Sequence, residues 1–394
     1  MGRTKRATPG KSVACALVVA LILVGLLLAS CGEPEQASTT ITQAQASTTV
    51  TQGEPQKVYE LTYALFQPDG AALSAVNREF AKEIESRTNG RVKITVHGGG
   101  SLLGAPAMYQ GVLDGVADMG NGVTSYDPGA FPFTSVAELP SKAQSGWAVS
   151  NAQYDFLQQY HPEEWSQVHV LTACGDAANC LAVYTAKKQI KTMADLKGVS
   201  IRTNQPDAVQ ALGATVKDIP MADVYDALSK GVLDGVMGAP EPLKTWKLAE
   251  VCNFVTLDLL PGQPSIMWYN IMNKKTWDSL PSDIQQIITD VSKEYSAKLG
   301  LTWDDQSVAG IEYSLSLGKT VYVLPDDEAQ KWAEALLSII DKRLETVAKE
   351  RGMSLDDLKA AWQYFEQRVE YWNGQQAGNN VAPVAERIRR VLVK

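Results

Sequence analysis

From Tyr59 the chain alternates apolar and polar positions through Leu61, Tyr63 and Leu65, which predicts a strand. Leu73, Val76, Phe80 and Ile84 follow at helical spacing, and Asn89-Gly90 stops that helix. Val92, Ile94 and Val96 alternate again before the Gly98-Gly99-Gly100 loop. A short helix ending near Gly111 and a strand around Val116 to Met119 complete a βαβαβ order. That succession builds a parallel sheet.

The hexapeptide GVLDGV occurs twice, at Gly111 to Val116 and at Gly231 to Val236. Both copies read alike: a glycine caps a helix, Asp-Gly turns the chain and a valine opens a strand. Before the second copy the pattern runs strand (Val199 to Thr203), helix (Pro206 to Leu212), strand (Thr215 to Ile219) and helix (Met221 to Lys230). Two related α/β lobes are therefore expected. Beyond them, Ser265 to Met272 is an apolar, aromatic-rich strand, and Ser282-Asp283-Ile284-Gln285 spells a capping box. Ile284, Ile287, Ile288, Val291 and Tyr295 share one face of the helix it opens, which passes both lobes if it runs beyond Trp303. Asp326 to Glu350 and Ser354 to Trp372 are also helical in period, with Trp362, Phe365 and Trp372 expected in the core.

The N-terminal thirty residues carry Arg3, Lys5, Arg6 and Lys11 and then small and apolar residues from Val13 to Ala29, the layout of a secretory signal peptide. Its end, Leu28-Ala29-Ser30-Cys31, resembles the lipobox of bacterial lipoproteins, which implies cleavage before Cys31 and acylation of its sulfur. Residues 31–56 are mostly Ser, Thr, Gln, Ala and Pro and read as a flexible tether. Random-coil statistics give it a reach of ~25–30 Å. Without the four basic residues of the leader, 32 Lys and Arg stand against 44 Asp and Glu, a formal charge of −12. So acidic a body argues against nucleic acid as a partner. Outside the leader and the lipobox, Cys174, Cys180 and Cys252 remain. Cys174 and Cys180 bracket a short loop, and form either a hairpin-like disulfide or two independent buried thiols.

Three histidines, His97, His161 and His169, with no HExxH, paired CxxC or calcium loop, give no metal site, and no cofactor is expected. There is no GxSxG elbow and no Walker loop, and His97 to Gly100 reads as a strand-end turn. Arg202 stands out, because it sits at the carboxyl end of a parallel strand, where open α/β sheets bind ligands. A guanidinium there grips a carboxylate with two parallel hydrogen bonds.

Several segments in order carry a resemblance that covers nearly the whole folded chain: FAKEIESRTNGRVKITVHGGGSLLG (Phe80 to Gly104), YDPGAFPF (Tyr126 to Phe133), MADLKGVSIRT (Met193 to Thr203), ALGATVKDIPMADVYDALSKGVLDG (Ala211 to Gly235) and NKKTWDSLP (Asn273 to Pro281). Together they resemble the solute receptors of tripartite ATP-independent periplasmic (TRAP) transporters, in the dicarboxylate-receptor family. The resemblance implies an α/β, two-lobed, periplasmic-binding-protein-like fold of type II character, with mostly parallel sheets, shared hinge strands and a long helix spanning both lobes. It implies lobe 1 mainly from 57–180, lobe 2 mainly from 181–265, and the crossover strand and later helices from 266–394. It also implies a receptor and not an enzyme, lipid-anchored outside the cell membrane, that hands a small organic acid to TRAP permease membrane subunits driven by an ion gradient.

By the same resemblance Arg202 is the carboxylate anchor, Gln67 and Tyr126 are lobe-1 contacts, and Asn204, Glu241, Trp268 and Asn270 are candidates across the cleft. Many relatives carry a further arginine near Asn179 to Tyr184 and an asparagine after the second Asp-Gly turn. Here those stretches read NCLAVY and GVMGAPEP. Without a second cation, and with Trp268 and Tyr269 as an apolar wall, a monocarboxylate with an aromatic or keto-acid body is expected in preference to a four-carbon dicarboxylate. A secreted enzyme on a binding-protein scaffold and the ligand-binding subunit of a membrane sensor remain as alternatives.

Overall fold

The structure is a computed structural model that describes residues 57–127, 129–176 and 179–393 of the 394-residue chain. The leader, Cys31 and the tether lie outside the described residues. Among the described residues eleven strands form two sheets. The first contains β1 (Tyr59–Leu65), β2 (Val92–His97), β3 (Met119–Val123), β4 (Val168–Gly175) and β10 (Met267–Asn273) in the order β2-β1-β3-β10-β4. The second contains β5 (Leu181–Thr185), β6 (Ser200–Arg202), β7 (Thr215–Lys217), β8 (Gly235–Gly238), β9 (Phe254–Asp258) and β11 (Thr320–Val323) in the order β11-β9-β5-β8-β6-β7.

The sheets are mixed, with five of the nine strand pairings among the described residues parallel. β1 runs parallel to β2 and β3, and β6 parallel to β7 and β8, but β10 and β5 are inserted antiparallel at the middle of their sheets. The reason is connectivity. The chain crosses from the first sheet to the second between β4 and β5, and returns between β9 and β10, so each returning strand enters its sheet from the opposite end.

The repeated sequence is real in the structure, but its register is four residues away from the GVLDGV match. Helix α1 (Ala72–Arg87) buries Leu73, Phe80 and Ile84 as its period predicts, and α2 (Met108–Leu113) is a short helix that contains the buried Gly111. The chain then turns at Gly115, with φ +78°, and β3 begins only at Met119, not near Val116. Helix α3 (Gly146–Tyr160) packs on β4; in the second lobe, after α4 (Pro206–Ala211), α5 (Val224–Ser229) turns at Gly231, with φ +71°, and β8 begins at Gly235. The equivalent stretches are Gly115-Val116-Ala117-Asp118 and Gly231-Val232-Leu233-Asp234. In each the glycine takes the left-handed conformation, the valine is exposed and the next residue is fully buried. The aspartate then accepts a backbone N–H of the neighbouring strand: Thr62 N to Asp118 Oδ2 at 2.8 Å, and Ser200 N to Asp234 Oδ2 at 2.8 Å. These bonds set the register in which Tyr63 pairs Met119 and Ile201 pairs Gly235.

A 35-residue helix, Ser282–Ser316, runs beyond Trp303 as expected and packs on α1 and β4 in one lobe and on α6 (Pro242–Thr245) and β11 in the other. Its capping box does not form. Pro281 is the N-cap and Ser282 already lies in the first turn, while Asp283 pairs with Arg91. The segment expected as one helix from Asp326 to Glu350 is two, Asp326–Leu337 and Ile339–Arg351, broken at Ser338. Leu355–Gln375 buries Phe365, whereas Trp362 and Trp372 are only half-buried.

Cys174 and Cys180 are not a disulfide; both thiols are buried. Cys174 lies in β4 of the first sheet and Cys180 leads into β5 of the second, so the stretch between them is an interlobe crossing and not a hairpin. Hydrogen bonds tie this crossing to the return strand: Asp176 Oδ1 accepts from Ile266 N and Ser265 Oγ, each at 3.0 Å, and Gln263 Oε1 accepts from Leu181 N at 2.7 Å.

Burial raises several carboxyls. Asp304, on the spanning helix, accepts from Gly146 N at 2.7 Å and is pushed up to about 8, and Glu138 and Asp176 near the crossing rise to about 7. Unfolded, each titrates near 4. Between that value and the folded one the native state holds protons that the unfolded chain has released, so stability falls as pH rises. His169, stacked on Trp277 and lowered to about 4, opposes this trend only below about 6.5. Calorimetry of the protein is expected to show the melting temperature dropping from pH 6.5 to 8.5. Asp304→Asn is expected to flatten that slope, whereas an unchanged slope would remove Asp304 as its source.

Candidate functional site

The carboxyl ends of the two equivalent strand pairs face one cleft. β1 leads into Phe66 and Gln67, and β3 leads into a turn at Thr124–Tyr126. β6 ends at Arg202 and leads to Asn204, and β8 leads through Pro240 to Glu241. Phe66, Gln67, Tyr126, Arg202, Asn204 and Glu241, together with Trp268 from β10 and Trp303 from the spanning helix, line a cavity of about 50 Å³. A nearly closed cleft at a strand-end switch point is where a ligand is expected in this architecture.

Arg202 is 6 % exposed. Its Nε donates to the Ile219 carbonyl at 3.1 Å, and its Nη2 donates to the Tyr126 hydroxyl at 3.1 Å. The second bond joins the lobes. Among the described residues no ion pair includes Arg202, so the guanidinium keeps donor capacity without a carboxylate of its own. A buried cation in that condition is a strong anion site.

Opposite it stands an aromatic wall. Trp268 stacks on Phe66 at 5.7 Å and 12°, and lies 4.8 Å from Trp303; Tyr126 meets Phe66 edge-on at 6.0 Å. Two buried polar atoms of this wall, Gln67 Oε1 and Trp268 Nε1, have no partner in the protein. Unmet buried polar groups cost about 1–3 kcal/mol each, which a ligand can recover. Glu241 is 2 % exposed and burial raises it to about 7; Asp176, also in the lining, rises to about 7 for the same reason.

Of the seven residues expected at the site, Arg202, Asn204, Tyr126, Gln67, Trp268 and Glu241 line the cavity. Asn270 does not. It shares the strand face of Trp268 but lies one pleat deeper, fully buried, donating to Asn77 Oδ1 at 2.9 Å and accepting from Asn121 at 2.8 Å. Tyr269 points to the other face, against Phe131 and Trp165, and is no part of the wall. Sequence reasoning missed Phe66, Tyr184, Trp303 and Asp176. The first had a signal, since it directly precedes Gln67; the other three come from a core strand, a helix and a crossing that no local pattern marks as facing a ligand.

Residues 67–346 match the family model DctP, bacterial extracellular solute-binding protein, family 7. The chain belongs to this family. The 2,3-diketo-L-gulonate-binding periplasmic protein of Escherichia coli K12 is 25% identical over 279 residues, covering 66% of this chain and 81% of that protein. A TRAP solute-binding protein from Rhodoferax ferrireducens T118, in complex with copurified benzoate, superposes with a TM-score of 0.74 at 25% identity, over 80% of this chain and 99% of that one. A marine metagenome TRAP solute-binding protein specific for aromatic acid ligands, in complex with 3-hydroxybenzoate, superposes with the same score, identity and coverage. This DctP-family protein is a two-lobed, extracytoplasmic solute receptor of the TRAP type.

The loop that presents Glu241 depends on one glycine of the spanning helix. A Cβ at Gly310 would lie 2.2 Å from the Pro240 carbonyl oxygen, a contact that only backbone displacement relieves. Gly310→Ala is expected to destabilise the receptor by about 1–3 kcal/mol and to weaken solute binding by moving Glu241. Thermal melts and titration calorimetry read the two effects, and unchanged affinity would show that the loop is not held by this contact.

Proposed function

We propose that this receptor captures an aromatic monocarboxylate, with the ligand carboxylate on Arg202 and its ring against Phe66, Trp268 and Trp303. The observation that carries the reading is the pairing, inside one closed cleft, of a buried guanidinium without its own carboxylate and a wall of three aromatic rings. The remaining lining carries no second lysine or arginine. That favours one carboxylate over two, since a second buried anion would lack a partner. The benzoate and 3-hydroxybenzoate bound by similar receptors support the same class.

The leader reading of residues 1–30, acylation at Cys31 and the tether of 31–56 fit a receptor held at the outer face of the membrane, delivering its solute to TRAP permease subunits. Two or three acyl chains make such an anchor firm where one would not.

Titration calorimetry of the mature chain is expected to give one benzoate site and no measurable heat with succinate. Removing one partner of a buried charge pair costs ~3–5 kcal/mol, so Arg202→Ala is expected to weaken benzoate binding by roughly two to nearly four decades. Equal affinity in wild type and variant would remove Arg202 from the site, and preference for succinate would overturn the ligand class.

A further inference from the structure

Glu241 is the one acidic group of the cleft whose role the anchor and the wall leave open. It sits beyond β8 at the start of α6, and its position is fixed from behind by the contact of Pro240 with Gly310. The Thr245 hydroxyl is the donor beside it, and no lysine or arginine contributes to its electrostatics. Asp176, in the same lining, is spent on Ile266 N and Ser265 Oγ. Glu241 therefore keeps acceptor capacity in the cavity lining, and Gln67 Oε1, in the same lining, is a buried acceptor with no donor. Acceptors of this kind are met by a ligand hydroxyl, as the unpartnered Trp268 Nε1 donor of the same lining is met by a ligand acceptor.

We propose that Glu241 is a specificity-determining residue that accepts a hydrogen bond from a hydroxyl on the ligand body, so that the preferred solutes are hydroxylated aromatic acids. This rests on the aromatic monocarboxylate reading above. Arg202 and Glu241 line the same cavity, so with the ligand carboxylate on Arg202 a ring hydroxyl that reaches Glu241 supplies it with a donor. An unsubstituted ring leaves the carboxyl buried and unmet, which a site of this kind discriminates against. Burial raises Glu241 to about 7, so around neutral pH it is not a permanent anion requiring a cationic partner. A hydroxyl therefore suits it better than an ammonium group.

The test is titration calorimetry of the mature chain with benzoate, 3-hydroxybenzoate, 4-hydroxybenzoate and 3-(aminomethyl)benzoate, in wild type, Glu241→Gln and Glu241→Met, with thermal melts to verify folding. The wild type is expected to bind one of the hydroxybenzoates about fivefold or more tighter than benzoate, the range of an ordinary hydrogen bond. Glu241→Met is expected to bring that ratio to about twofold or less. Glu241→Gln, which keeps an acceptor, is expected to retain part of it. Equal binding of benzoate and both hydroxybenzoates by the wild type would overturn the proposal, as would a preference that survives in Glu241→Met, and both results leave the aromatic monocarboxylate reading standing. Tightest binding of the aminomethyl acid would overturn the hydroxyl in favour of a cation. Failure of every aromatic acid to bind would overturn both readings together.

Discussion

A guanidinium held away from water without an anion of its own is the constraint on which the rest of this receptor depends. Burying a charge is unfavourable by several kcal/mol unless partners replace its hydration. Arg202 is given two neutral acceptors, the Ile219 carbonyl from its own lobe and the Tyr126 hydroxyl from the other. They keep the guanidinium in place without neutralising it. The interlobe bond to Tyr126 also places the closed state and the anion site under one control, because opening the cleft removes one of the two acceptors. A carboxylate entering the site replaces that loss with a charge-assisted pair, so ligand affinity and lobe closure draw on the same interaction.

The two lobes position their contributions by the same local device. Asp118 and Asp234 each close a helix-to-strand turn by accepting a backbone N–H of the neighbouring strand, which fixes strand register to the residue. Register matters here because a slip of one residue turns every side chain to the opposite face. With β6 and β8 fixed, Arg202 and Glu241 emerge from the same sheet edge. With β1 and β3 fixed, Gln67 and Tyr126 emerge opposite them. The turns lie at the far ends of the strands from the cleft, so the elements that determine the geometry are separate from those that touch the solute.

Much of this was legible in the sequence, in ways that depended on what each signal encodes. Period marked β1, α1, β2 and the spanning helix, because each buries a continuous stripe. Arg202 was marked by chemistry at a strand end, and Gln67, Tyr126 and Glu241 by resemblance to a family. What failed were inferences from short identity and from spacing. GVLDGV matched as letters, yet the first copy lies partly inside a helix and the second begins beyond one, because the turn is set by the left-handed glycine and the aspartate after it. Cys174 and Cys180 are close in sequence but belong to different sheets, a fact of topology that six residues of chain do not express. Asn270 has the right strand and the right face, and is excluded only by depth. Trp303 was invisible as a site residue because its facing follows from how a 35-residue helix lies across two lobes.

That helix also constrains where the molecule can bend. Gly300 touches the backbone of Gly146 so closely that a Cβ on either would lie 2.4 Å from the other's carbonyl oxygen, and Gly310 meets Pro240 in the same manner. Ten residues of α-helix separate the two contacts, a rise of about 15 Å. Between them Trp303 reaches the ligand wall and Asp304 caps α3. A rod pinned by backbone contacts to an α-helix of one lobe and to the ligand loop of the other cannot bend between those points without losing both. Relative lobe movement must then be absorbed by rotation about these contacts and by the two strand crossings. There Asp176, Ser265 and Gln263 join the two crossings by hydrogen bonds beside the buried Cys174, Cys180 and Ile266. Hydrogen bonds can exchange partners over a small rotation, whereas interdigitated side chains resist it, so the polar contacts are the part of each crossing that can yield.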